Sequence, residues 1–240
     1  MRRTMIELVQ GFVDFFFPPL CAACGERLNR DEEVVCNSCR KSFTEVPKPW
    51  CLRCGAGAVK AKQTNCKYCP EKPVFFDLAR AVVLYRGAVP ELIHTLKFKT
   101  RPEVAPILGR LMFLYLKREL HSERFDLIIP VPLHSARERE RGFNQAELIA
   151  EEIAGLADIA LTTDILVRIK STKQQTGLPA ALRRQNVAGA FSLRAPEPIL
   201  DKSILLIDDV YTTGNTVNEA SRVLKERGAS RVCVLTFARA

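Results

Sequence analysis

Two groups of residues in this sequence have the types and spacing for chemistry. One is a set of eight cysteines in four Cys-x-x-Cys pairs; the other is a short segment with two adjacent acids and a Thr-Thr-Gly turn. The pairs are Cys21/Cys24, Cys36/Cys39, Cys51/Cys54 and Cys66/Cys69, recurring every 15 residues with 11 residues between neighbours. Zinc takes four soft ligands in a tetrahedron, and one Cys-x-x-Cys turn supplies two thiolates on a tight knuckle. Four knuckles therefore hold two zinc ions. Gly25 and Gly55 follow two of the knuckles, where the turn calls for positive φ. Disulfides are the competing use, but the regular knuckle spacing and the lack of an export signal weigh against them. Sequential pairing of the knuckles closes the shortest loops; alternate and nested pairings satisfy the same ligand count. No polar neighbour suggests an open coordination position, so both ions are expected to be structural. Cys233 stands alone in a β-like run and is expected to be buried.

The second group is the segment from Ser203 to Val217, which reads as an apolar strand, two acids, a hydroxyl-rich turn and a helix. A turn entering a helix N-terminus points free N–H groups at a phosphate. Gly214 would let the backbone approach closely, and Thr212, Thr213, Asn215 and Thr216 add polar groups around it. Asp208 and Asp209, expected at the end of the strand, can accept from two vicinal hydroxyls. A 5-phosphorylated ribose offers a phosphate and two such hydroxyls at matching separation. No Gly-Lys-Ser/Thr follows and no Gly-x-Gly-x-x-Gly occurs, which excludes a Walker loop and a dinucleotide fingerprint.

The elements that must position these groups alternate. Leu78–Arg86, Asp126–Val131, Ser203–Ile207 and Arg231–Phe237 read as strands. Apolar spacing at Val104, Ile107, Leu108, Leu111, Leu114 and Tyr115 predicts a helix over 102–120. Asn144 can cap a helix through Leu156, with Glu147 as its capping-box partner, and a helix from Thr216 to Arg227 is stopped by Gly228. Strands separated by helices imply βαβ units and a mostly parallel α/β sheet. The expected organisation is a cysteine-rich module over 1–75, folding separately from the sheet, and an α/β domain over 76–240.

The Asp208–Thr216 segment resembles the phosphoribosyl-diphosphate (PRPP) motif of type I phosphoribosyltransferases. Pro130-Val-Pro-Leu-His134, Arg141-Gly-Phe-Asn-Gln145, Gln175, Leu178, Arg183, Asn186 and Gly189-Ala-Phe191 resemble the pattern of the ComF family of competence and DNA-utilisation proteins, as does a zinc module in front. The resemblance implies a type I phosphoribosyltransferase-like sheet preceded by a double zinc ribbon. It implies that Asp208 and Asp209 bind the ribose hydroxyls, and Mg²⁺ with PRPP, and that 212–216 hold the 5-phosphate. The loop with Val131 and Pro132 corresponds to the diphosphate loop, with Arg141 beside it, and the stretch with Lys173 and Arg183 to the flexible loop that closes over it. It implies support of DNA uptake, with single-stranded DNA and a DNA-import helicase as partners; an active transferase on a small acceptor is the alternative. Thr212 stands where purine-salvage enzymes of this fold often carry an Asp general base, and neither a nucleophile nor an acceptor motif is legible among His94, His121 and His134.

Bulk charge says less. The formal net charge is +9, but eight thiolates bring −8 and two zinc ions only +4. Placement is more telling: Ile165–Pro196 contains no acid and holds Arg168, Lys170, Lys173, Arg183, Arg184 and Arg194, which suits an anionic ligand. With Lys97, Lys99 and Arg101 around Phe98, this stretch is the expected single-stranded DNA surface. The apolar run Gly11–Leu20 is short and carries Asp14, so neither a signal peptide nor an integral membrane segment is expected and a cytoplasmic address follows. Phe12, Phe15, Phe16 and Phe17 are expected to dock on the protein as one helix face.

Overall fold

The computed structural model describes residues 18–57, 66–70, 73–99, 101–170, 187–194 and 199–240. The Phe12–Phe17 run, Lys173, Gln175, Leu178, Arg183 and Asn186 lie outside the described residues. The central sheet has strand order β1 (Leu78–Leu84), β6 (Arg231–Arg239), β5 (Ser203–Tyr211) and β2 (Leu127–Pro130), all parallel. Ile204–Ile207 and Val232–Leu235 are buried without interruption, as expected of central strands covered on both faces.

Alternation along these strands divides the core into two layers. Leu205, Ile207, Cys233 and Leu235 pack with helices α2 (Val89–Phe98), α3 (Val104–Glu119) and α5 (Gln145–Ala157). Ile204, Leu206, Val232 and Val234 pack with α6 (Asn215–Glu226) and a two-stranded antiparallel sheet of β3 (Leu166–Arg168) and β4 (Phe191–Leu193). Two short helices complete the described elements: α1 (Asn37–Lys41) inside the first ribbon and α4 (Ser135–Arg141) after β2.

The ribbons are divided between the same two layers. Cys21, Cys36 and Cys39 belong to the layer of α2, α3 and α5, whereas Cys51, Cys54 and Ala56 belong to the layer of α6. The chain between them crosses the free edge of β1. Leu84 N donates to Thr44 O at 2.7 Å, Glu45 bridges to Val83, and Ala79 N donates to Arg53 O at 2.6 Å. An open sheet edge is thereby covered. Gly55 needs its freedom here twice over: its φ is +68°, and a Cβ would lie 2.3 Å from Ala79 O. Both ribbons therefore contribute buried residues to the two cores of the sheet.

Several local expectations hold and several shift. Asn144 caps α5, its side chain accepting from Ala146 N at 3.1 Å. Leu114, expected on the apolar stripe of α3, is 60% exposed, and Met112 and Leu116 fill the core instead. Strand β5 runs on past Ile207 to Tyr211, so Asp208 and Asp209 lie inside it rather than at its end. Cys233 is fully buried, as expected.

Candidate functional site

The cysteines form two sets, Cys21/Cys24/Cys36/Cys39 and Cys51/Cys54/Cys66/Cys69, each with its sulfurs within 4.8 Å of one another. This is the sequential pairing. Cys24–Cys36 and Cys51–Cys69 are 3.7 Å apart and Cys54–Cys66 3.5 Å, too far for disulfides. Four ligands at ~2.3 Å from one zinc ion lie about 3.8 Å from each other, so both sets fit structural zinc. Burial works against ionisation of Cys21, but N–H groups of Cys36, Cys24 and Ala23 bring its pKa down to about 6; N–H groups of Cys54 and Arg53 bring Cys51 to about 7 in the same way. Metal analysis of the purified chain is expected to give two zinc ions, with Cys233→Ser leaving that number unchanged; a single ion would contradict the double site.

The second group converges at the C-terminal end of the sheet. Asp208 and Asp209 are both buried, and Asp208 Oδ1 accepts from Asp209 N at 2.9 Å. Lys97, in the last turn of α2, forms an ion pair with Asp209. Burial pushes the Asp208 carboxyl well above its ordinary range, and the Asp209 charge adds to this. Burial acts on Asp209 too, but the Lys97 ammonium beside it, with help from Asp208 and Arg141, outweighs it and holds that carboxyl below the ordinary value. The two neighbouring carboxyls are thus pushed in opposite directions, Asp208 upward and Asp209 downward beside Lys97.

Beyond the acids, the turn Thr212–Gly214 leads into α6, whose first two residues are Asn215 and Thr216. Gly214 is its N-cap at φ +76°. A Cβ there would meet the Tyr211 hydroxyl at 2.2 Å and Pro70 Cγ at 3.0 Å. The glycine is thus demanded by backbone conformation and by packing against Tyr211 and the second ribbon. Across β5, Val131 N donates to Ile207 O at 2.8 Å and fixes the start of the loop after β2. The Asn144 carboxamide holds the same residue from the other side, donating to Val131 O at 3.2 Å. His134 caps α4, its Nδ1 accepting from Ala136 N at 3.2 Å, and bridges to Arg168 on β3.

Comparison with known proteins agrees with both groups. Residues 12–71 match the double zinc ribbon domain and residues 140–240 the phosphoribosyl transferase domain. Competence protein F of Haemophilus influenzae is 32% identical over 229 residues, covering 94% of this chain and 99% of that protein. The DNA utilization protein YhgH of Escherichia coli K12 is 32% identical over 228 residues, covering 92% and 97%. The chain belongs to the competence protein F (ComF) family. Among solved structures, the glutamine PRPP amidotransferase of B. subtilis complexed with ADP and GMP aligns with a TM-score of 0.42 and 20% identity, covering 60% of this chain and 30% of that one.

In this ComF-family chain, the Arg141–Gln145 motif is an assembly device for the loop after β2. Gly142 ends α4 at φ +87°, Asn144 starts α5 and holds Val131, and Gln145 bonds the Arg141 guanidinium. Arg141 is half-buried within the field of Asp209 and lies 5.5 Å from the Phe98 ring. Pro132 continues the loop after Val131. The residue that sequence reasoning misplaced is Lys97. Assigned to an open basic surface, it is instead turned inward to Asp209, while Lys99 pairs with Glu91 and Arg101 with Glu103. Pro90 and Glu91 followed by Leu92, Ile93 and Leu96 mark the helix whose last turn carries Lys97, but not the direction in which Lys97 turns.

Proposed function

We propose that this chain binds PRPP or a related phosphoribosyl ligand, with Mg²⁺, across the C-terminal ends of β5 and β2, and that it serves DNA uptake by binding single-stranded DNA. The observation that carries the ligand reading is the convergence of two buried acids, the Thr212–Thr216 turn and the Val131–His134 loop at one end of adjacent strands. In open α/β sheets that end is where ligands sit. The ribose hydroxyls would meet Asp208 and Asp209, the 5-phosphate the N–H groups at the start of α6, and the diphosphate the Val131–Pro132 loop with Arg141 nearby. Mg²⁺ takes oxygen ligands and keeps several waters. Since Lys97 already pairs with Asp209, the ion is expected to arrive with the diphosphate. Calorimetric titration of the zinc-loaded chain with PRPP, with and without Mg²⁺, tests this directly; no heat in either condition would end the reading.

The DNA part rests on membership of a family of competence and DNA utilization proteins and on one surface feature. Phe98 is 53% exposed, with His94 5.0 Å from its ring on one side and Arg141 nearby. An exposed ring beside cations can stack a base of a single strand. With Lys97 committed to Asp209, phosphate contacts fall to Lys99, Arg101 and the basic stretch that follows Arg168. Affinity is expected to drop by roughly 0.7 log units per log unit of salt for each phosphate contact. Phe98→Ala should weaken binding at every salt concentration without changing that slope, and an unchanged affinity would move the DNA site elsewhere. Among the described residues no helix is long and apolar enough to cross a membrane.

A further inference from the structure

The two ribbons share one sequence pattern but stand in different surroundings. In the second, Cys51 and Cys54 are fully buried. The Gly55 that follows them is pressed on β1, where a Cβ would lie 2.3 Å from Ala79 O. The Cys54 backbone is also held by Arg239, whose Nη1 donates to its O at 2.7 Å. In the first ribbon the corresponding Gly25 makes the same left-handed turn at φ +77°, yet a Cβ there would meet nothing within 4 Å. Among the eight zinc ligands only Cys24, the second thiol of that knuckle, is exposed. Its partners Cys21, Cys36 and Cys39 are buried, and Cys21 Sγ is shielded further by accepting from Cys36 N at 3.3 Å.

The exposure of one ligand has a chemical consequence. The thiolate, not the thiol, attacks an oxidant, and zinc keeps its cysteines as thiolates. Which thiolate is oxidised then follows access. Cys24 Sγ lies 3.7 Å from Cys36 Sγ, so the pair has to close by roughly 1.7 Å to reach the ~2.05 Å of a disulfide. In the first step the Cys24 thiolate attacks one oxygen of hydrogen peroxide. The S–O bond forms as the O–O bond breaks, and the departing hydroxide takes a proton from solvent to become water. The Cys36 thiolate then attacks Cys24 Sγ. The S–S bond forms as the S–O bond breaks, and a second hydroxide leaves as water after taking a second proton. Two thiolates have lost two electrons, the peroxide has gained them, and two of the four zinc ligands are withdrawn.

The first ribbon is tied to α3 by exposed ion pairs, Arg110 with Glu33 at 2.9 Å and Arg118 with Glu45 at 2.7 Å, each worth little in water. Thr44 follows it in the chain and covers one end of the β1 edge, accepting from Leu84 N at 2.7 Å. Arg53, between two ligands of the second ribbon, covers the other end at Ala79 N.

We propose that the first ribbon is a peroxide-responsive switch: a hydroperoxide joins Cys24 to Cys36, frees that ribbon's zinc and loosens the Thr44 end of the edge cover, while the second ribbon keeps its metal. The disulfide leaves the Cys24–Cys36 loop closed, so the oxidised chain loses less than it does to a chelator. The test treats the zinc-loaded full chain with an equimolar amount of hydrogen peroxide. Released metal is read with a colorimetric chelator, disulfides by peptide mass spectrometry, and the edge by hydrogen exchange. The expected result is loss of one of the two zinc ions, Cys24 linked to Cys36, Cys51 and Cys54 still reduced, and protection at Leu84 reduced more than at Ala79. A dithiol with added zinc should reverse all of these. Cys24→His keeps a fourth ligand that cannot enter a disulfide and should hold both ions at the same dose. Retention of both ions by the unaltered chain, joint release of the two, a disulfide in the second ribbon ahead of the first, or Leu84 exchange unmoved by oxidation overturns the switch. These readouts come from the unaltered chain and decide the matter even if Cys24→His fails to load zinc.

Discussion

Zinc removal is expected to unfold the parallel sheet and not merely the cysteine-rich segment. Cys51 and Cys54 are fully buried in the same core layer as Ala79, Ile204, Tyr211 and Val234. Cys21, Cys36 and Cys39 sit in the opposite layer with Leu235 and Phe237. The ribbons thus supply part of both faces. A structural zinc site contributes on the order of 10 kcal/mol of apparent folding energy, while a whole domain is stable by about 5–15 kcal/mol. Losing one site is therefore enough to shift the balance. Cys54→Ser should be the most damaging single change, because it removes a ligand and disturbs the buried Arg239, whose Nη2 lies 3.8 Å from Cys54 Sγ. The measurement is hydrogen exchange at β6 amides before and after chelation. Protection that survives zinc loss would show that the sheet stands without its ribbons.

Asparagine at either acid should cost the chain its phosphoribosyl ligand, yet the two substitutions should move stability in opposite directions. Asp208 has its folded pKa raised by burial and by Asp209. Its proton is held in the folded chain and released in the unfolded one, so stability falls as pH rises from the unfolded value of about 4 through the folded pKa. Asp208→Asn removes that loss. Its melting temperature should exceed that of the unaltered chain by a margin that grows across this interval, with about 2–4 °C for each kcal/mol gained. Asp209 is the reverse case, with its folded pKa lowered chiefly by Lys97 against the pull of burial. Its contribution is present above the unfolded value and lost as pH falls through the folded one. Asp209→Asn strands the Lys97 ammonium without its partner and should destabilise by roughly 3–5 kcal/mol, the usual cost of halving a buried pair. Thermal unfolding across a pH series, read beside calorimetry with PRPP, separates these effects. If both variants lost stability alike, opposite shifts of the two carboxyls would be the wrong description.

How much of this was legible varied with how local the cause was. Cys-x-x-Cys knuckles and the strand–turn–helix around Gly214 are set within a few residues, and the sequence displays them directly. The extent of β5 was not visible, because Asp208 and Asp209 break the apolar run although Val210 and Tyr211 continue the ladder with Ala238 and Arg239. Strands β3 and β4 are three residues each, too short for periodicity to register. Lys97 was misread because its partner lies more than a hundred residues away in sequence, and nothing in a basic stretch reveals which cation turns inward. The shared cores escaped for a different reason. Cysteine, alanine and glycine in the ribbons look like turn material, and only the contact with Ala79 and the sheet shows that they are buried.

The place of β1 in the sheet has a consequence for how the chain assembles. Its strand partner in the sheet is β6, with Leu78 opposite Cys233, so the earliest strand to be synthesised waits for the last. During that interval its polypeptide edge is held by Thr44 and Arg53, residues already made and fastened by metal. The ribbons therefore close only the outer edge of β1, and the edge facing β6 is where mispairing with another chain would begin until β6 arrives.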